Sequence, residues 1–391
     1  MPPYLAGRTE EQEEFGKLLD QDIILQNVVL TGLRGVGKTV LLETLKPEAI
    51  ERGWLWVGTD MSESATVDEQ SMAVRLITDM AVTTANFAVG TVATRAFGFD
   101  RSVSHEQLML DYNTLWAVFD RTPGLIADKL KAVLELVWSA VPTTGYRGLV
   151  FAYDEAQNLG DRAEKDQYPL SMLLDVFQSI QKKGVRFMLA LTGLPTLYPK
   201  LVEARTFAER MFRVISLDKL DIAASRQAIT IPVAKAPRKF ADASVETIID
   251  LSGGYPYFIQ FICREVYDVW IRQIASGHEP AVPVNEIQRK LDSDLFAGRW
   301  ARVTDRQREL LTVIARLDTA ESEFTVQEVV ELSSSILTKP FSASHVNQML
   351  NTLTESDLIY KNRRGKYSLA VPLLNRFILR QLRQSQPTLW P

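Results

Sequence analysis

The chain is poor in the residues that bind metals or form cross-links. Its 391 residues include one cysteine, Cys263, and three histidines. A single cysteine excludes an intrachain disulfide, and so few thiolate and imidazole ligands exclude a structural zinc site. We therefore expect a chain that folds in the reducing cytoplasm.

Net positive charge and long apolar runs are also missing. The formal net charge is -4, whereas a dedicated nucleic-acid binder is usually basic, so any DNA contact must be local. The one stretch with membrane-like composition, residues 80–99, is rich in small residues and is interrupted by Asn86 and Arg95. This pattern predicts a buried or partner-facing helix rather than a bilayer span. Residues 1–4 lack the charged start and apolar run of a secretory signal.

What the chain does contain is enough apolar material for a sizeable core, with 46% hydrophobic residues. Its length predicts two or three domains. Apolar segments with strand character alternate with helical segments, and this alternation predicts a parallel sheet covered by helices on both faces. The predicted strands are residues 27–31, 54–59, 148–153, 186–192 and 213–217. The first helix is predicted to stop near Pro47.

Beyond residue 220 strand-like runs give way to helical ones. Helices predicted over residues 244–251, 256–275 and 284–295 indicate a helical lid domain. Three more, followed by a hairpin over residues 358–369, match the winged-helix plan. The predicted domains are an α/β core over residues 1–220 with a helical insertion at 60–146, a lid over 221–300 and a winged helix over 301–391.

A glycine-rich loop lies between the first strand and its helix and fits G-x-x-x-x-G-K-[ST] at every fixed position. Glycines let amide N–H groups turn inward around phosphate oxygens, and the following helix directs its N-terminal donors at the same anion. Lys38 is expected to reach the β- and γ-phosphates, and the Thr39 hydroxyl to ligate Mg²⁺. The residues predicted to bind ATP are Gly32, Leu33, Arg34, Gly35, Val36, Gly37, Lys38, Thr39 and Val40.

Two carboxylates follow the strand predicted over residues 148–153. Asp154 is predicted to hold the magnesium shell, and Glu155 to polarise the attacking water as general base. An apolar strand followed by Asp-Glu also occurs where a strand simply ends in a solvated turn. The phosphate loop upstream favours the functional interpretation, and the intact pair argues against a nucleotide-binding scaffold that does not hydrolyse.

Three segments resemble AAA+ and STAND ATPases. Gly7-Arg8-Thr9-Glu10-Glu11 resembles the Gly-Arg-x-x-Glu box of origin-recognition initiators and STAND proteins, which implies that Gly7 and Arg8 pack near the adenine. Asp154-Glu155-Ala156-Gln157 resembles the signature of transposon target-selection and ExeA-type ATPases.

The third segment is Gly254-Tyr255-Pro256, which resembles the Gly-x-Pro motif of the STAND lid and implies that Pro256 contacts the nucleotide. AAA+ proteins that use a sensor-2 arginine carry it at the start of this helix. Here Arg264 lies two turns further on, so a lid arginine is not expected.

The same resemblance implies sensor and trans-acting residues. Thr192, which ends the fourth predicted strand, occupies the sensor-1 position; alternatively it caps the next helix. An arginine just before the fifth strand is presented to the neighbouring subunit's ATP in AAA+ relatives, and Arg210 is the first choice here, with Arg205 second. A salt bridge to Glu203 or Glu209 is the alternative. A working arginine finger requires a homo-oligomer in the ATP state.

The sequence leaves two partners possible for the predicted winged helix, DNA and protein. Its third helix carries no lysine or arginine, and the positive charge lies in the wing at Lys361, Arg363, Arg364 and Lys366. Four cations predict weak, salt-sensitive binding to double-stranded DNA. We predict an ATP-hydrolysing switch whose nucleotide state controls assembly and DNA engagement. The alternatives are a STAND signalling or defence ATPase whose winged helix binds protein, and the non-hydrolysing scaffold.

Overall fold

A computed structural model of the protein describes residues 4–95, 103–236, 239–275, 282–356, 358–363 and 365–385. These residues divide into two compact units. The first, called the α/β unit, comprises residues 8–32 and 38–217. The second, called the C-terminal unit, comprises residues 4–7 and 33–37 and those described from residue 218 onward.

The α/β unit contains a parallel sheet with helices. Its elements are α1 (Thr9–Leu19), β1 (Asn27–Gly32), α2 (Lys38–Glu51), β2 (Trp54–Val57), α3 (Glu69–Thr84), β3 (Ala88–Arg95), β4 (Val103–Met109), α4 (Tyr112–Arg121), α5 (Ile126–Ala140), β5 (Gly148–Tyr153), α6 (Pro169–Gln181), β6 (Phe187–Gly193), α7 (Leu197–Ala204), α8 (Ala208–Met211) and β7 (Phe212–Leu217).

The central sheet has the order β2-β5-β6-β1-β7, and every pairing in it is parallel. All residues of β1, β5 and β6 are buried, as expected for strands covered on both faces. The five predicted strands are confirmed. Because the strands are parallel, the carboxyl ends of β1, β5 and β6 lie at one edge of the sheet, with β6 between the other two.

Two local predictions are wrong. The helix predicted to stop near Pro47 continues to Glu51, because burial of Leu41, Leu45 and Ala49 along one face outweighs the single backbone hydrogen bond that proline removes. The helix predicted over residues 80–99 ends at Thr84, and residues 88–95 form a strand paired with β4. The β-branched residues Val89, Thr91, Val92 and Thr94 favour that strand. Residues 96–99 lie outside the described residues.

The C-terminal unit is mainly helical. Its elements are α9 (Ile222–Thr230), α10 (Asp242–Ser252), α11 (Pro256–Ala275), α12 (Val284–Leu291), α13 (Gly298–Trp300), α14 (Asp305–Ala315), β8 (Phe324–Thr325), α15 (Val326–Ile336), α16 (Ala343–Glu355), β9 (Ile359–Arg363), β10 (Lys366–Leu369) and α17 (Leu374–Ser385). A π-helical segment, Asp292–Ala297, joins α12 to α13.

A small antiparallel sheet of order β8-β10-β9 lies in this unit, with α15 against β8 and α16 against β9. The sequence analysis predicted the hairpin of β9 and β10 but neither β8 nor α17. The core of the unit includes stacked rings: the centroid of Phe296 lies 5.1 Å from that of Phe377 and 6.3 Å from that of Phe258. Within the described residues, no helix combines the length and apolar character needed to cross a bilayer.

Candidate functional site

The glycine loop after β1 adopts backbone conformations that require glycine. Gly35 and Gly37 have φ angles of 81° and 93°, a region that L-residues with side chains rarely enter. Within the C-terminal unit, the Tyr257 N–H donates to the Gly35 carbonyl at 3.1 Å, and a Cβ placed on Gly37 would lie 3.9 Å from Cγ of Pro256. The start of α11 therefore lies directly against the loop.

The α/β unit contributes the charged groups of the motif. The Lys38 ammonium donates to the Gly32 carbonyl at 2.9 Å, at the end of β1. The hydroxyl of Thr39, in the first turn of α2, donates to Oδ2 of Asp154 at 2.5 Å. The sheet thus brings together two residues that the sequence analysis assigned to one metal.

The pair Thr39 and Asp154 fits a magnesium ion bound with a nucleotide. Both side chains present hard oxygen ligands, and Asp154 is only 5% exposed. Mg²⁺ takes few protein ligands and completes its octahedron with water and phosphate oxygens. Within the described part of the chain, no group of three or more His, Cys, Asp or Glu residues could hold a metal by itself. The residues therefore suit a metal that arrives with a triphosphate.

Glu155 has a strained backbone and an exposed side chain. Its φ angle is 52°, in the left-handed region, and it stands between the end of β5 and a 3₁₀ turn over Ala156–Asn158. Its N–H donates to Oδ1 of Asp154 at 2.8 Å, while its carboxylate accepts from the Gln157 side-chain amide. The two adjacent carboxylates therefore differ in their surroundings, since Asp154 is buried and Glu155 is exposed.

Thr192 lies at the carboxyl end of β6 and is fully buried. Its hydroxyl donates to the Tyr153 carbonyl at 3.1 Å. Thr192 therefore lies beside the strand that ends in Asp154 and Glu155.

Behind Asp154, the last residue of β5 meets the inserted helix α3. The Tyr153 hydroxyl donates to Oδ2 of Asp79 at 3.1 Å, and Nε of Arg75 lies 2.9 Å from the same oxygen. Burial raises the pKa of Asp79 above its usual value, although Arg75 opposes the shift. Burial and the Asp79 charge raise the pKa of Tyr153 well above its usual value. The insertion thus makes a buried polar contact with the acidic strand.

The Gly-Arg box falls in both units. In the C-terminal unit, Gly7 packs so closely on α9 that a Cβ there would lie 2.6 Å from Cβ of Ala224. In the α/β unit, Arg8 is 7% exposed and pairs with Glu11 at 3.1 Å. Of the remaining loop residues, Val36 is buried, whereas Leu33, Arg34 and Val40 are half-buried.

The two candidate finger arginines have different surroundings. Arg205 forms a two-pronged pair with Asp175, with Nε to Oδ1 at 2.9 Å and Nη2 to Oδ2 at 2.7 Å. It also donates to the Ser171 hydroxyl at 2.8 Å. Arg210, in α8, is exposed. Of the two arginines, Arg210 therefore has the more accessible side chain.

The cations of the hairpin are only partly described. Lys361 is exposed and Lys366 half-buried. Arg364 and the side chain of Arg363 lie outside the described residues. On α16, Asn347, Gln348 and Asn351 are exposed, so the helix presents an uncharged polar face.

Sequence reasoning missed two residues of the site. Tyr257 contacts the loop through its backbone, which no side-chain pattern reveals. Gln157 was noted only as part of a signature, yet its side chain touches Glu155 and the loop after β6. Its position two residues after Glu155 was the available signal.

The sheet order and the glycine loop after β1 are those of a P-loop NTPase fold. The structure is similar to the Walker-type ATPase PABY2304 of Pyrococcus abyssi, with a TM-score of 0.59, 14% identity and 96% of each chain covered. It is also similar to the Aeropyrum pernix ORC2 protein in its ADP form, with a TM-score of 0.55, 15% identity and coverage of 99% of this chain and 97% of that one. At these identities the likeness shows the fold.

Residues 293–378 match the family model described as Domain of unknown function (DUF8462). No curated protein matches the chain.

Proposed function

We propose that the protein is an ATP-binding and ATP-hydrolysing switch of the AAA+/STAND kind. The observation that carries the proposal is the contact of Thr39 with Asp154 at the end of the phosphate loop. This contact supports a magnesium-bound triphosphate at the carboxyl edge of the sheet. The ORC2 protein with the same fold is described in complexes with ADPNP and ADP, which agrees with this choice of ligand.

In the proposed reaction, loop amides and Lys38 neutralise the phosphate oxygens, and Thr39 and Asp154 are the residues that would hold Mg²⁺. The metal would supply positive charge that offsets the negative charge developing on the phosphate. The carboxylate of Glu155 accepts a proton from water as the water oxygen attacks the γ-phosphorus. The bond between the γ-phosphorus and the bridging oxygen breaks, leaving ADP and phosphate.

The test uses two variants of the full chain. Lys38→Ala should weaken ATP binding about tenfold or more, because a hydrogen bond to a charged group is worth roughly 1.5–3 kcal/mol. Glu155→Gln should retain ATP binding and lose about 10²–10⁴-fold in turnover, the usual contribution of a general base. Unchanged ATP affinity in the first variant would reject the loop as the site. Unchanged turnover in the second would reject Glu155 as base.

We further propose that ATP promotes homo-oligomer assembly and that Arg210 acts on the neighbouring subunit's ATP. The exposure of Arg210 supports this choice. Mixing inactive Glu155→Gln chains with inactive Arg210→Ala chains tests it, because mixed assemblies join an intact Arg210 from one chain to an intact Glu155 in the next. Restored turnover is expected, and none would be restored if Arg210 acted within its own chain.

For the C-terminal unit we propose a winged helix over residues 301–391 that engages duplex DNA weakly through its wing. The exposed Lys361 and the polar face of α16 support this. Binding measured against salt should weaken steeply as ionic strength rises, and Lys361→Glu should reduce it further. Absence of binding at low salt would instead favour the alternative in which this domain binds protein.

A further inference from the structure

Gln157 spans the carboxyl ends of two neighbouring strands. It lies in the 3₁₀ turn that follows Glu155 at the end of β5. Its Oε1 accepts from the N–H of Leu194 at 3.1 Å, just after β6, and its Nε2 donates to the Glu155 carboxylate. One side chain therefore contacts both the proposed base and the strand that carries Thr192.

The orientation of this amide is fixed by its two partners. A backbone N–H can only donate, and a carboxylate can only accept. The oxygen of the amide must therefore face Leu194, and the nitrogen must face Glu155. The reversed amide would lose both hydrogen bonds.

The surroundings of Gln157 hold it in place. Its backbone carbonyl accepts from the Lys200 ammonium at 2.8 Å. Gly193 leaves room for the amide, since a Cβ there would lie 2.7 Å from Oε1 of Gln157 and 2.8 Å from Cδ2 of Leu197. The amide is thus anchored from β6 and α7 and reaches outward to Glu155.

Glu155 depends on such a contact more than its neighbour does. Asp154 is buried and accepts two hydrogen bonds, whereas the Glu155 side chain is exposed on a residue in the left-handed region. A long, exposed side chain samples many rotamers. A general base must present its carboxylate within hydrogen-bond reach of the attacking water.

We infer that Gln157 is a positioning residue for hydrolysis, orienting the Glu155 carboxylate relative to the end of β6. The inference rests on the proposed ATPase function. Gln157 acts through Glu155, so its loss should lower kcat and leave ATP binding and KM nearly unchanged.

The primary test replaces the amide by a side chain of similar length. Gln157→Met removes both hydrogen bonds and should lower kcat by about tenfold or more, as expected for loss of a hydrogen bond to a charged group. Gln157→Glu keeps an acceptor for Leu194 but sets a carboxylate against Glu155, and should lower kcat at least as much. The matched control is Gln327→Met in α15, which breaks a Gln327–Glu331 hydrogen bond of 2.8 Å elsewhere in the chain.

A double-mutant cycle separates positioning from general destabilisation. If Gln157 acts only through the base, Gln157→Met added to Glu155→Gln should cause no further loss in single-turnover hydrolysis. Losses that multiply would overturn the inference, as would an unchanged kcat in Gln157→Met alone. Hydrogen exchange gives an independent readout, since the Leu194 amide should exchange faster in Gln157→Met; equal protection would also overturn it. A wild-type chain that releases no phosphate would instead overturn the ATPase function itself.

Discussion

The two units of this protein use their polar side chains in different ways. In the α/β unit, polar groups gather where strands end: Asp154 and Glu155 after β5, and Thr192 at the end of β6. In the C-terminal unit, charged groups mostly hold elements together, as when Arg376 pairs with Glu321 at 3.1 Å and Arg380 pairs with Asp292. The comparison indicates that the candidate carboxylates and the buried Thr192 lie at one sheet edge, while the charged pairs of the C-terminal unit join elements of a packed helical core.

The largest effect should come from the aromatic stack of the C-terminal unit. Phe296 is 1% exposed and packs between Phe258 and Phe377. Phe296→Ala removes a buried ring and leaves a cavity, which typically costs about 3–5 kcal/mol. Denaturant unfolding should show this loss. The exposed Ile271, 55% accessible on α11, is the control, since Ile271→Ala should change stability by about 0.5 kcal/mol or less. A small loss in Phe296→Ala would contradict the view that this unit depends on packing.

In the α/β unit, Asp154→Asn should have little effect on stability and a large effect on turnover. The amide keeps the shape: its oxygen can accept the Glu155 N–H, and its nitrogen can donate to the Thr39 hydroxyl, which also accepts. Stability should therefore change by roughly 1 kcal/mol or less. Turnover should fall about a hundredfold or more, because the variant lacks the charge that we propose holds Mg²⁺.

The control for that variant is another carboxylate of the same unit. Asp161 accepts the N–H groups of Leu170 and Ser171 at 2.9 and 3.1 Å at the start of α6. Asp161→Asn should lower the melting temperature and leave turnover intact. If both variants affected turnover equally, the separation of chemical from structural carboxylates in this unit would fail.

These contrasts explain what the sequence could predict. The five core strands and the positions of Asp154, Glu155 and Thr192 at strand ends were predictable, because apolar runs of strand length are local signals. Strand β3 was missed because a short run of small and apolar residues does not by itself distinguish a strand from a buried helix, and α2 passes Pro47 because tertiary burial decides there. The contacts of Gln157 and of the Tyr257 backbone depend on strand order, which local patterns do not encode.

The buried contact between Asp79 of α3 and Tyr153 of β5 should make the effect of Asp79→Asn on the unfolding free energy depend on pH. Burial raises the pKa of Asp79 in the folded chain, so the stability it contributes is greatest when it is protonated and is lost as pH rises through that pKa. Asp79→Asn removes this titration. The unfolding free energy of the variant relative to wild type should therefore rise between acidic and neutral pH. Arg75 loses its charged partner in the variant at every pH, which adds a constant to the difference in unfolding free energy. The test is therefore how that difference changes with pH. A difference that does not change with pH would contradict a raised pKa of Asp79.

The smallest effect concerns two helix starts in the C-terminal unit that differ in one ionisable group. Thr325 and Glu328 form a capping box on α15, and Thr304 and Gln307 form another on α14. Thr325→Ala and Thr304→Ala should each cost about 1 kcal/mol near neutral pH.

Only the stability cost of Thr325→Ala should depend on pH. The hydrogen bond from Thr325 is the main cause that lowers the pKa of Glu328, with help from Lys366. A lowered pKa gives stability that is present above the unfolded pKa of about 4.3 and disappears as pH falls through the folded value. The cost of Thr325→Ala should therefore shrink toward pH 3, while that of Thr304→Ala stays level, because Gln307 does not titrate. The measurement is chemical denaturation of both variants and wild type across this pH range. If the cost of Thr325→Ala and that of Thr304→Ala changed in the same way with pH, the cap of α15 would not depend on the Glu328 charge.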